Sequence, residues 1–143
     1  MRAIIAGLAL CLACACAPGP AAGPQPAAPS TRAEITASCG GGFTGGTTGV
    51  TITAEDHVVR WDTATAGAQR RETDLGARPA LAAEIRRQLE AIQFADVRYD
   101  RTGNMTCTLR AGDHSVSWPQ GDASAPAGVL TVHAAVLEAD GVE

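Results

Sequence analysis

The sequence predicts an α+β domain in which an antiparallel β-sheet of about five short strands packs on one or two α-helices. Two stretches of the chain alternate apolar and polar residues with a period of two, which is typical of half-buried strands, and each stretch contains a turn signal. A third stretch repeats its apolar residues at the spacing of an amphipathic helix. Hairpins that pack helices on one side form a two-layer sandwich.

The first hairpin is predicted over residues 47–62. Val50 and Ile52 alternate with threonines, a polar run centred on Asp56 breaks the pattern, and a second short strand runs from Val58 to Asp62. The polar stretch 63–77 that follows lacks any alternation of apolar residues, so it predicts an exposed loop.

A helix is predicted to begin near Pro79, because proline fits the first turn, where its missing N–H would be unpaired anyway. Apolar residues then recur at helical spacing, and charged residues lie off that stripe. The stripe consists of Leu81, Ile85, Leu89 and Ile92.

A second hairpin and a last helix complete the domain. Met105, Cys107 and Leu109 alternate with polar residues, and the pattern resumes at Val116 and Trp118 beyond a turn at 111–113. Pro126 and Gly128 precede the last helix, whose inward positions are predicted to be Val129, Leu130, Val132, Val136 and Leu137.

The N-terminal segment predicts export. Arg2 supplies a positive charge, and residues 3–13 are apolar over a length too short to span a bilayer. We therefore divide the chain into a signal peptide at 1–16, a tether rich in Ala, Pro and Gly at 17–33, and the α+β domain at 34–143.

Three cysteines in the signal region predict a lipid anchor. The run from Cys11 to Cys16 resembles the lipobox of bacterial lipoproteins, in which the cysteine after the cleavage site is lipidated. Cys16 is the preferred lipidation site and Cys14 the alternative. Cleavage before Cys16 removes Cys11 and Cys14, so that every remaining cysteine is either lipidated or can be paired. Ala17 is not the Asp that retains some lipoproteins at the inner membrane, so we expect an outer-membrane lipoprotein facing the periplasm. Ordinary cleavage, which would give a soluble periplasmic or secreted protein, stays open.

The two remaining cysteines predict a disulfide. Cys39 and Cys107 lie in the domain, and disulfides persist in exported proteins. Cys107 shares a strand face with Met105 and Leu109, so the bridge should lie against the core.

Composition and motifs exclude several functions. A net charge of −4 argues against nucleic-acid binding, which needs basic residues clustered on one face of the protein. The chain has no G-x-S-x-G motif of a nucleophilic serine, and its three histidines, His57, His114 and His133, lack the spacing of metal ligands. The sequence therefore indicates no enzyme, cofactor or metal site. Solvating roles are predicted for the pair Arg70 and Arg71, with a processing or partner site as the alternative, and for the carboxylates Glu55, Asp56, Asp62, Asp74 and Asp96.

A glycine-rich stretch is the most distinctive local feature. Residues 40–45 fit the G-x-G-x-x-G spacing of nucleotide sites, but a strand follows where a helix would be needed to hold the phosphates. Two readings remain: a turn in which Phe43 anchors the core, or an exposed loop that contacts a partner. The loop in the second reading consists of Gly41, Gly42, Phe43, Thr44 and Gly45.

This stretch, together with the Thr-rich strand, Trp61, the Ala/Leu-rich helix and the final hairpin, resembles the emfourin family of inhibitors of thermolysin-like metalloproteases. The resemblance covers about 34–137 and implies a non-catalytic domain that binds a protease. The chain departs from the family pattern at Asn104 to Cys107, where an acidic residue and an aromatic one are usual. We therefore expect an envelope lipoprotein that binds a protein partner, with a thermolysin-like protease as one candidate. The alternative is a structural lipoprotein that binds a membrane or cell-wall component.

Overall fold

The computed structural model describes residues 32–141, and the predicted signal peptide and most of the tether lie outside this range. The predicted α+β class is confirmed. A short 3-10 turn, Phe94–Asp96, follows the first helix. In chain order, the strands and helices are β1 (Ile35–Gly41), β2 (Gly46–Ile52), β3 (His57–Thr63), β4 (Arg71–Ala77), α1 (Pro79–Ala91), β5 (Met105–Ala111), β6 (His114–Pro119) and α2 (Ala127–Glu138).

The sheet has six strands in the order β4-β3-β2-β1-β5-β6, and neighbouring strands are antiparallel. Both predicted hairpins are present, but the loop predicted at 63–77 is wrong because its second half forms β4. This edge strand pairs with β3 on one side only and leaves most of its polar side chains in water. It therefore lacks the apolar alternation by which sequence analysis detects strands.

One face of the sheet carries the core. Ile35, Ala37 and Cys39 point to this face from β1, and Leu109 and Cys107 lie beside them on β5. Both helices cover this face, as their buried residues join the same hydrophobic cluster. The cluster includes Ala82, Ile85 and Leu89 from α1, and Val129, Val132 and Val136 from α2.

The opposite face of the sheet bears mainly small hydroxyl residues and Trp61. The indole lies across Gly49, where a Cβ would come within 2.5 Å of the ring. Its Nε1 donates to Thr51 Oγ1 at 3.1 Å, and the Arg70 guanidinium lies 4.1 Å from the ring centroid. Arg70, predicted to be solvated charge, therefore covers Trp61 and helps to bury it.

Asp56 is buried, so its predicted role as a solvating loop carboxylate is wrong. It occupies the turn between β2 and β3 with a φ of 69°. Arg86 of α1 and Arg32 each approach its carboxylate oxygens at 2.6 Å. The hydrogen bond from Arg86 holds the pKa of Asp56 below its ordinary value. Asp56 thus joins the start of the domain, this turn and α1.

The expected disulfide between Cys39 and Cys107 is present. The two residues lie directly opposite each other on β1 and β5, with their Cα atoms 4.0 Å apart. Cys107 is buried against the core, as predicted from the face that it shares with Leu109.

Candidate functional site

The candidate partner-binding loop is the turn that connects β1 to β2. Gly41 ends β1 and Gly46 begins β2, and the N–H of Gly45 donates to the Gly42 carbonyl at 3.2 Å across the turn. Gly42, Phe43, Thr44 and Gly45 therefore form the tip of a hairpin that extends from the centre of the sheet. We call these four residues the hairpin tip.

On one side, the hairpin tip is fixed to the chain that leads into β5. The N–H of Gly42 donates to the carbonyl of Asn104 at 2.6 Å. Gly41 has a φ of 120°, and a Cβ at this position would lie 2.3 Å from the same carbonyl oxygen. Glycine is therefore needed at residue 41 both for its backbone conformation and for the close approach to Asn104.

On the other side, the loop between β3 and β4 supports the hairpin tip. The N–H of Ala66 donates to the carbonyl of Thr44 at 3.0 Å. Main-chain hydrogen bonds from two neighbouring loops thus hold the turn. A loop held in this way loses little conformational freedom when it binds, which favours its use as a contact surface.

Phe43 projects from this supported loop into solvent. Its relative exposure is 108%, and it is the one large hydrophobic side chain exposed within residues 32–141. The reading in which Phe43 anchors the core is therefore wrong. Phe94, by contrast, is buried in the core and contacts His114 edge to face.

A polar network that sequence analysis missed stabilises the loops beside the hairpin tip. Asp122 accepts hydrogen bonds from the Ser124 hydroxyl and the Tyr99 hydroxyl, both at 2.7 Å, and Arg101 lies 3.6 Å from it. The hydrogen bonds from Ser124 and Tyr99, with Arg101 nearby, lower the pKa of Asp122 to about 2. The network joins the segment before β5 to the one after β6. Tyr99 and Asp122 are 23 positions apart, and no local sequence pattern pairs residues at that distance, so the network could not be predicted.

The remaining predicted site residues lie elsewhere. Cys16 and Cys14 are outside the described residues. His57 contacts Asp74 at 2.9 Å on the exposed side of β4. His133, predicted only as a histidine on a helix face, is buried, and its Nε2 lies 3.8 Å from Cys39 Sγ.

Neither a model of a known protein family nor a curated protein sequence matches the chain. The resemblance to emfourins therefore stays a prediction from the sequence. Within residues 32–141, neither helix is long and apolar enough to cross a membrane.

Proposed function

We propose that this protein is an exported, lipid-anchored lipoprotein whose small domain binds a protein partner through the hairpin tip and performs no catalysis. The observation that carries the proposal is the full exposure of Phe43 on a loop that donates a main-chain hydrogen bond to Asn104 and accepts one from Ala66. Aromatic side chains are typical anchors of protein interfaces when they enter a pocket of the partner. An exposed phenyl ring on a supported loop has the form of such an anchor.

The position of the hairpin tip favours a protein partner over the membrane that holds the anchor. The predicted tether leads into the domain at Arg32, beside the turn that contains Asp56. β1 then runs seven residues, about 20 Å, before it reaches the hairpin tip. Phe43 therefore lies at the opposite end of the sheet from the tether, facing away from the anchored end of the domain.

A thermolysin-like metalloprotease is the partner that we propose to test first, on the strength of the sequence resemblance. Wild-type chain at equimolar concentration with the protease should slow substrate turnover. Phe43→Ser should weaken this inhibition at least about tenfold, the loss expected when an interface anchor worth more than 1.4 kcal/mol is removed. Glu55→Ala is the matched control, because Glu55 is exposed in the turn at the other end of the sheet.

Absence of inhibition by the wild-type chain across a broad panel of such proteases would reject the inhibitor version. Equal inhibition by wild type and Phe43→Ser would reject the hairpin tip as the contact surface.

The membrane anchor needs its own measurement. The intact mass of the mature protein extracted from membranes should correspond to a chain that begins at Cys16, or at Cys14, and carries two or three acyl groups. A soluble, unlipidated mature chain would contradict the anchor and leave a periplasmic or secreted binding protein.

A further inference from the structure

Two sulfurs and one imidazole converge between the sheet and α2. Cys39 lies on β1, Cys107 on β5 and His133 on α2. The two Sγ atoms and a ring nitrogen of the imidazole all lie within 4.8 Å of one another. The sequence separates His133 from Cys39 by 94 positions, and only the packing of α2 on β1 and β5 brings them together.

The three side chains are held in place by their surroundings. Cys107 and His133 are buried, and Cys39 is half-buried, so Cys39 is the most exposed of the three residues. The imidazole packs edge to face on Trp118 with ring centroids 4.9 Å apart. Its Nε2 also lies 3.2 Å from the Ser38 carbonyl, to which an Nε2–H donates. These two contacts fix the orientation of the imidazole, with Nε2 directed towards β1.

We propose that reduction of the disulfide converts this cluster into a binding site for a thiophilic d10 metal ion of the Zn²⁺ class, with Cys39, Cys107 and His133 as ligands. A dithiol reductant supplies two electrons and two protons, is itself oxidised to a disulfide, and leaves two thiols on the protein. Metal binding then displaces both thiol protons to solvent, so that two thiolates and a neutral imidazole hold the ion.

The geometry suits a tetrahedral ion. Zinc bonds of about 2.3 Å to sulfur and about 2.0 Å to nitrogen place neighbouring S and N ligands about 3.5 Å apart. Nε2 of His133 already lies 3.8 Å from Cys39 Sγ. Once the disulfide is reduced, the sulfurs can separate by rotation about their side-chain bonds. Nε2 gives up its hydrogen bond to Ser38 and releases its proton to solvent, and Nδ1 takes up a proton, so that a neutral imidazole binds the metal through the Nε2 lone pair. Three protein ligands leave a fourth position of the tetrahedron for water or another ligand.

Cobalt(II) is the probe, because its thiolate complexes absorb light where the free ion does not. The protein is the full chain carrying Cys11→Ser, Cys14→Ser and Cys16→Ser, so that only Cys39 and Cys107 supply thiolates. It is reduced with a phosphine, freed of reductant under anaerobic conditions, checked for native circular dichroism and titrated. We expect a near-ultraviolet sulfur-to-cobalt band that saturates at one ion per chain, and displacement of the cobalt by Zn²⁺. The oxidised chain should show no band.

Ligand variants decide between a built site and two adventitious thiols. Cys107→Ser should remove most of the band, and His133→Gln should weaken binding by more than the roughly tenfold loss that follows removal of an outer partner of a metal ligand. His114→Gln is the matched control and should bind as the parent does. Each variant is also measured for thermal unfolding, so that loss of binding in a folded chain is distinguished from loss of the fold.

Three results would overturn the proposal. The first is a reduced chain that unfolds before metal is added. The second is a folded, reduced chain that shows no band at stoichiometric cobalt. The third is unchanged affinity in a folded His133→Gln variant, which would leave two thiols binding metal without a third protein ligand.

Discussion

Loss of the Cys39–Cys107 disulfide should lower the free energy of unfolding by about 4 kcal/mol. The bond joins residues separated by 68 positions, and closing a loop of this size removes conformational entropy from the unfolded chain by roughly that amount at 25 °C. In the folded state, β1 and β5 pair along seven residues on each strand, so the hydrogen-bonded ladder persists without the bond. The effect should therefore arise mainly in the unfolded state.

The measurement is urea denaturation of the full chain in which Cys11, Cys14 and Cys16 are replaced by serine, compared in its oxidised and reduced forms. With a denaturant slope of about 2 kcal/mol per M, the midpoint should fall by about 2 M on reduction. Cys39→Ala with Cys107→Ala should lose about 1 kcal/mol more than reduction, because Cys107 is buried and its sulfur packs in the core. A fall of less than about 1 kcal/mol on reduction would refute the loop-closure reasoning.

Three further predictions concern the hairpin tip and the loops beside it. Phe43→Ser should change the free energy of unfolding by less than about 0.5 kcal/mol, since the ring is exposed, whereas Phe94→Ala should lower it by about 3–5 kcal/mol because that ring is buried. Urea denaturation measures both values, and a large loss of stability in Phe43→Ser would mean that the Phe43 ring is buried. Gly41→Ala should destabilise by more than about 1 kcal/mol and weaken binding, because alanine tolerates neither the positive φ nor the contact with Asn104, and unchanged melting would contradict that contact. Folded Asp122 has a pKa of about 2, below its ordinary value of 3.8, so its contribution to stability is present above about pH 4 and is lost as the pH falls towards 2. Asp122→Asn should therefore reduce the dependence of the melting temperature on pH between about 4 and 2, and an unchanged dependence would exclude the network.

The elements that the sequence predicts well are those with a half-buried face. Val50 and Ile52 alternate on β2, and Ile85 and Leu89 repeat on α1, because one side of each element packs on the core. β4 carries no such signal, since it is an edge strand whose side chains are mostly exposed and whose formation depends on hydrogen bonds to β3. One-sided burial is therefore what made the fold class predictable.

The functional residues also divide into those that a local sequence pattern identifies and those that depend on contacts between distant parts of the chain. The glycine-rich stretch identified the hairpin tip, but not whether Phe43 lies inside or outside, because a turn in either orientation needs the same glycines. Asp56 was predicted as a solvating loop carboxylate and His133 as a histidine on a helix face, and both are buried through contacts with residues distant in the sequence. Periodicity describes local faces and holds no information on these long-range contacts.

Site-specific photocrosslinking in cells tests the central claim most directly. A photoreactive amino acid replaces Phe43 in the full, lipid-anchored chain, and a second chain carries it at Glu90, an exposed position on α1. We expect residue 43 to yield a discrete adduct with one protein that residue 90 does not yield, and we expect excess wild-type chain to abolish this adduct by competition. The same adducts from both positions, or none from residue 43, would contradict the assignment of the hairpin tip as the partner-binding surface.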